Sequence, residues 1–188
     1  MVDGGMDTTD TATTDHPTDS TTLELTVRPP TTADGGAMWR LARDSGTLDL
    51  NTSYAYLLLA THFADTCRVA FAGDDAVGFV AAYRLPQDPS ALFVWQVAVD
   101  ERLRGRRVAA RLLDAAVDET DGITRLETTV TTDNAASRRL FSRWAQRRGA
   151  ALTEREGFTA AHFPDGHDAE PLLVIEPLVP LAGADPGH

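Results

Sequence analysis

Residues 102–111, RLRGRRVAAR, set five arginines around one glycine in a chain whose formal net charge is −11 and whose basic residues are all arginine. Mutual repulsion disfavours that crowding unless an anion relieves it. The stretch follows an apolar run, ALFVWQVAVD (91–100), and precedes VAARLLDAAVDET. In the latter, Val108, Leu112, Leu113, Ala116 and Val117 fall on one helical face. A strand that turns at a glycine into a helix presents unpaired amides at the positive end of the helix dipole. Gly105 lets the backbone come close to an anion, and arginine adds forked, permanent charge. The chemistry that follows is the binding of a pyrophosphate or polyphosphate. The competing reading is a solvated basic helix start, or a patch paired with acids elsewhere. No G-K-[ST] is present, and there is one glycine where a dinucleotide fingerprint needs three.

Other reactive residues point less far. HFPDGHDAE (162–170) holds His162, His167 and Glu170, but the spacing matches no common closed metal site, so no metal is expected. Cys67 begins an apolar strand and reads as core rather than nucleophile. No G-x-S-x-G is present, which excludes a serine-hydrolase elbow.

The elements that must position the arginine turn follow from periodicity. LELTVRPP (23–30) alternates and ends at prolines, as a strand does. Residues 34–46 show Met38, Leu41 and Ala42 at helical spacing, with Asp34 as N-cap and Gly46 closing. Residues 51–65 form a second helix, capped by Asn51 or Ser53. Residues 67–85 are two strands around GDD, a hairpin signal. The run 91–100 has the continuous apolarity of a strand buried on both faces. After the helix that begins at Val108 come a strand at 123–131 and a helix at 134–149. That last helix is capped by Asp133 or Asn134, ends at Gly149, and carries Leu140, Phe141 and Trp144 on one side. ALTEREGF and EPLLVIEPL are the two final strands. The order β-α-α-β-β-β-α-β-α-β-β predicts an α/β (α+β) domain on a single mixed sheet flanked by about four helices.

A chain of 188 residues, 43 % hydrophobic, suits one domain of about 150 residues. We assign that domain to 23–178. Residues 1–22 read as a disordered acidic tail, because 13 of them are Thr or Asp and cannot bury enough apolar area to offset ordering. Residues 179–188 read as a second tail. No 18-residue apolar run is present, so no membrane span is expected, and the N-terminus lacks a signal peptide's basic and apolar regions. One cysteine suits a cytoplasmic protein. The net charge argues against nucleic-acid binding.

VAVDERLRGRRVAARLL resembles the acyl-CoA signature of the GCN5-related N-acetyltransferases (GNAT). There an apolar strand precedes Q/R-x-x-G-x-G/A, and the helix start holds the pyrophosphate of coenzyme A. Arg102 fills the first position, Gly105 the fourth, and Arg107 the sixth, where the pattern has Gly or Ala. NAASRRLF resembles the next block of the same superfamily. LDLNTSYAYLLLATHFADTC, LFVWQVAVDERLRG, TTVTTDNAASRRLF and HFPDGHDAEPLL resemble the diaminobutyrate acetyltransferases of ectoine biosynthesis, a family within it, over about residues 24–178.

The resemblance implies a GNAT-like, mostly antiparallel sheet and a direct attack of the 4-amino group of L-2,4-diaminobutyrate on acetyl-CoA. It implies a splayed strand on which Val97 and Val99 pair with pantetheine, with the Val97 amide as oxyanion donor. It places Arg102, Arg104, Gly105, Arg106, Arg107, Val108 and Ala109 around the cofactor's phosphates, and Asn134 and Ser137 near its pantetheine and adenosine ends. On the substrate side it points to Asp49, Asn51, Tyr54, Trp95, His167 and Glu170, with Asp49, Trp95, Glu170 and Val97 catalytic. Carboxylates suit an ammonium, and an aromatic face suits a cation. It also implies a homodimer. Transfer to another small amine or polyamine, or non-catalytic acyl-CoA sensing, are the alternatives. Two departures stand out. Phe141 occupies a position where many superfamily members carry Tyr as a proposed acid. A helical φ at Arg107 leaves only its Cβ to obstruct the phosphate.

Overall fold

The computed structural model of the chain describes Met1 and residues 24–179. Apart from Met1 and Val179, the tails read at 1–22 and 179–188 lie outside the described residues. β1 (Thr26–Arg28) is shorter than its alternating segment, because Pro29 and Pro30 bring no amide to a ladder. There follow α1 (Gly35–Ser45), α2 (Ser53–His62), β2 (Arg68–Ala72), β3 (Asp75–Leu85), β4 (Asp88–Val99), α3 (Val108–Asp118), β5 (Arg125–Thr129), α4 (Ala135–Arg148), β6 (Ala151–Phe158) and β7 (Glu170–Glu176). This is the order expected from periodicity. Among the described residues no helix is long and apolar enough to cross a membrane.

The seven strands form one sheet in the order β1-β2-β3-β4-β5-β7-β6. Every neighbouring pair is antiparallel except β4 and β5. A parallel pair needs a crossover, and α3 supplies it. One face packs Met38, Ala42, Tyr56 and Leu59 of α1 and α2 onto Val69, Phe79, Ala81 and Ala98. The other packs Val108, Leu112, Leu113, Ala116 and Val117 of α3, with Phe141 and Trp144 of α4, onto Val80, Leu92, Val94, Leu126 and Ile175. The helical face read from the sequence is therefore the buried face of α3.

The caps differ in part from expectation. Asp34 precedes α1, but its carboxylate does not cap it. It turns back to take two bonds from Arg28, at 2.8 and 3.0 Å, and one each from the Thr31 amide and hydroxyl. Thr52, not Asn51 or Ser53, is the N-cap of α2, without a side-chain bond. Asn134 caps α4, taking a bond from the Ser137 amide at 3.0 Å.

β4 carries the two features that shape the site. Ala81 pairs with Gln96 and Ala82 with Val94, so Trp95 is the extra residue of a β-bulge. The bulge shifts the alternation: Leu92 and Val94 before it, and Val97 and Val99 after it, all pack toward α3. It also leaves Trp95 43 % exposed, so the strand is not buried on both faces throughout. The second feature is a notch. β4 pairs with β5 only at Ala91, Leu92 and Phe93. Beyond Phe93 the strands part, and among the described residues no strand pairs with the β5 side of β4. The Asp100 amide bonds the Val77 carbonyl across to β3. By strand alternation, the backbone groups of Val97 and Val99 then face the notch.

Candidate active site

The polypeptide leaves β4 through a 3-10 turn at Glu101–Leu103 and bends at Gly105 (φ 79°) and Arg107 (φ 63°, ψ 16°) before α3 begins. The helical φ expected at Arg107 is not found. Among the described residues Arg107 is the one non-glycine residue with positive φ. It is the N-cap of α3, and the left-handed bend is what turns the strand exit into the helix axis. For a non-glycine residue this costs about 1–2 kcal/mol. The Arg107 side chain does not cap α3. Among the described residues no acceptor meets the amides of Val108, Ala109 and Ala110, so they point out of the helix start as a ready anion site.

The five arginines divide. Arg102 is bound to Asp100 at 2.6 Å, and this guanidinium and the Arg102 amide hold the Asp100 carboxyl down to about 2. Arg111 donates to the Leu25 carbonyl at 2.8 Å and belongs to the packing. Arg104, Arg106 and Arg107 are exposed, and no carboxylate among the described residues pairs with them. Beside the turn, Leu41, Asp44, Ser45, Val99, Asp100 and Arg102 line an open cavity of about 270 Å³. Asn134 and Ser137 stand at the start of α4, where the Asn134 side chain is engaged as cap. Phe141 is 2 % exposed within the core beside Trp144; it is a packing residue with no proton to give.

A second group assembles from distant parts of the chain. His167 Nε2 lies 3.3 Å from Asp49 Oδ2 and 3.8 Å from Glu170 Oε1. Glu170 begins β7, where its other oxygen accepts a bond from the Thr129 hydroxyl of β5. Gly157 makes this placement possible: a Cβ there would lie 2.2 Å from the Glu170 carbonyl oxygen. Asp49 sits in the link between α1 and α2. Its carbonyl accepts from Gln96 Nε2 at 2.9 Å and from Asn51 Nδ2 at 3.3 Å. Gln96 in turn accepts from the buried Tyr56 hydroxyl at 3.0 Å.

The electrostatics of His167 follow from its partners. Nδ1 lies 2.7 Å from the Asp168 carbonyl, which can only accept, so Nδ1 carries a proton. Nε2 faces two carboxylates, so a proton is favoured there too. The Asp168 carbonyl, then the charges of Asp49, Glu170 and Asp165, raise its pKa above the ordinary histidine value. The same three side chains are the one His/carboxylate group among the described residues whose ligand atoms lie within 4.8 Å of one another. A protonated His167 offsets one of the two carboxylate charges.

Of the substrate-side residues expected from the sequence, Asp49, His167 and Glu170 meet directly, and Asn51 supports the Asp49 backbone. Tyr54 on α2 is 65 % exposed, and Trp95 stands open at the bulge. Sequence reasoning missed Gln96, Tyr56 and Thr129. Gln96 had a signal: an amide inside an apolar run needs a buried partner. Cys67 is buried, and burial pushes its thiol up to about 11, as a core residue requires.

Comparison with known proteins gives a consistent result. The model of the acetyltransferase (GNAT) family matches residues 36–145. The L-2,4-diaminobutyric acid acetyltransferase of Streptomyces avermitilis is 52 % identical over 159 residues, covering 82 % of this chain and 89 % of its own. That of Streptomyces coelicolor is 50 % identical over 160 residues, covering 82 % and 94 %. The structure of the diaminobutyrate acetyltransferase of Paenibacillus lautus, solved with L-2,4-diaminobutyric acid and coenzyme A, superposes with a TM-score of 0.79 at 42 % identity. It covers 86 % of this chain and 99 % of that one.

Proposed function

The chain belongs to the GNAT acetyltransferase family, and we propose that it transfers the acetyl group of acetyl-CoA to the 4-amino group of L-2,4-diaminobutyrate, the reaction that precedes ectoine. The observation that carries the substrate side is the meeting of Asp49 and Glu170 from opposite ends of the domain. Two convergent carboxylates suit the ammonium groups of a small diamino acid. The identity with diaminobutyrate acetyltransferases over most of the chain supports the same substrate.

Acetyl transfer to an amine requires a held thioester, a polarised carbonyl and an unprotonated nucleophile. The notch supplies the first: Val97 and Val99 offer strand-like partners to the pantetheine amides, and the Val97 amide faces the thioester oxygen as oxyanion donor. The amides at Val108 and Ala109, with Gly105, Arg104, Arg106 and Arg107, take the diphosphate. Arg102 contributes through its charge while bound to Asp100. Asn134 and Ser137 flank the cofactor from the start of α4. Asp49, Asn51, Tyr54, Trp95 and His167 hold the diamine. Glu170 accepts the amine proton, since Thr129 fixes it and it is the less exposed of the two carboxylates.

We place this chemistry in a single domain, 23–178, in the cytoplasm. The protein acts as a homodimer, to which the exposed Leu50, Tyr54 and Leu57 beside the site offer an apolar surface. The test is a product assay with acetyl-CoA and diaminobutyrate, read by thiol release, mass and NMR. The expected product is acetylated on the 4-nitrogen. Equal turnover of polyamines and lysine, or no thiol release with diaminobutyrate, overturns the reading. Sedimentation at micromolar concentration tests the dimer.

A further inference from the structure

Resting on the substrate reading just given, we propose that His167 is the resident counter-cation of the diamine pocket. Its imidazolium holds Asp49 and Glu170 together before substrate arrives, and it releases its Nε2 proton to solvent as the substrate ammonium takes its place. Two carboxylates that converge on one point repel unless a cation lies between them. Here the cation is neither arginine nor lysine: the ion pairs of Asp49 and Glu170 among the described residues are with His167 alone. In a chain with seventeen arginines the choice has a consequence. An arginine between the carboxylates would stay charged at every accessible pH and exclude the substrate ammonium. Histidine is the cation that discharges near neutrality.

The surroundings are built for that exchange. The Nδ1–H bond to the Asp168 carbonyl fixes the ring whatever the state of Nε2. Phe163 backs the ring at 4.6 Å between centroids. Thr129 holds Glu170 from the far side. The charged groups that face the imidazole are Asp49 from the α1–α2 link, Glu170 from β7, and Asp165 from its own loop. All three are acidic, in keeping with the raised pKa. After the exchange the neutral imidazole keeps its Nδ1–H bond, and the freed Nε2 lone pair accepts from the bound ammonium. The Nε2–H bond breaks, its electron pair stays on Nε2, the proton goes to bulk water, and no bond between heavy atoms changes.

The test counts protons. Calorimetric titration of diaminobutyrate into the whole protein, in two buffers of different ionisation enthalpy, gives the protons released per substrate bound at pH 6.5 and at pH 9. Release should be larger in the wild type than in H167Q, by up to one proton at pH 6.5 and by less at pH 9. Wild-type affinity should weaken as pH falls, by up to tenfold per pH unit for one linked proton, and that part of the dependence should vanish in H167Q. An NMR titration of His167 in the wild type provides a second readout that does not depend on the variant. Saturation with diaminobutyrate should lower its pKa by more than one unit. Equal proton release in wild type and H167Q, or a His167 pKa unchanged or raised by substrate, overturns the proposal. Turnover in the same preparation separates the failures. Acetyl transfer with those negative results overturns the counter-cation alone. No acetyl transfer to diaminobutyrate overturns the substrate reading and this inference with it.

Discussion

The side-chain amide of Gln96 donates to the main-chain carbonyl of Asp49 at 2.9 Å, tying the loop that carries one carboxylate to the strand that borders the notch. Its oxygen accepts from Tyr56 inside the core. One side chain thus couples the buried face of α2, the bulged strand and the substrate side.

Replacing Gln96 by Leu leaves the Tyr56 hydroxyl buried without an acceptor. We expect a loss of about 1–3 kcal/mol in stability and a rise of about tenfold in the diamine KM, roughly 1.4 kcal/mol. Tyr56→Phe should cost only about 1 kcal/mol and leave the KM within about twofold. Denaturant unfolding and steady-state kinetics check both, and an unchanged KM in Gln96→Leu would show that Asp49 is positioned by other contacts.

Asp49→Asn and Glu170→Gln keep shape and remove charge. Each forfeits charge-assisted bonds worth about 1.5–3 kcal/mol, a drop of about 10- to 150-fold in kcat/KM. If Glu170 accepts the amine proton, its loss falls mainly on kcat, whereas that of Asp49 falls mainly on KM. Kinetics with varied diamine separate the two, and the reverse split would exchange the roles.

Arg107 sits at φ 63°, a conformation glycine adopts freely. Arg107→Gly should gain back part of the roughly 1–2 kcal/mol of backbone strain, offset by the greater freedom of glycine in the unfolded chain. The net effect on melting should be small. The acetyl-CoA KM should change by less than about tenfold, because the amides and the neighbouring arginines remain. A hundredfold rise would make this guanidinium a principal anchor, and a hundredfold fall would make it an obstruction.

Asp34 accepts from Arg28 and from the Thr31 amide and hydroxyl, and these bonds, Arg28 first, hold its carboxyl below the ordinary value. A depressed carboxylate adds stability that is complete above the unfolded value of about 3.9 and disappears as pH falls through the folded one. Asp34→Asn should therefore cost about 1–2 kcal/mol at pH 7, and its stability should converge with wild type only once the pH has fallen through the depressed folded value. A difference that persists there would assign the cost to packing.

Much of the scaffold was legible because burial imposes periodicity. The face of α3, the GDD hairpin and the two terminal strands all follow from where apolar residues recur. The arginine turn was legible as an anion site because glycine and arginine have distinct backbone and charge chemistry. What escaped depends on contacts far along the chain. Nothing in RRV marks Arg107 as left-handed, since the usual signal for that conformation is glycine or asparagine. The bulge at Trp95 arises from register with β3, which one strand cannot reveal. Asp34 looked like a cap because its partner, Arg28, lies on another element. The convergence of Asp49 with Glu170 was legible only through likeness to a family, because the loop that brings His167 between them has no periodicity.

The short ladder between β4 and β5 has a mechanical meaning. Among the described residues three residue pairs, Ala91–Arg125, Leu92–Leu126 and Phe93–Glu127, with the bond from the Thr124 amide to the Ser90 carbonyl beside them, join a plate of four strands to a plate of three. A pantetheine arm laid along the open edge would extend that seam with bonds of its own. The thioester would then splint the protein as well as feed the reaction, and each release of spent carrier would take those bonds from the seam.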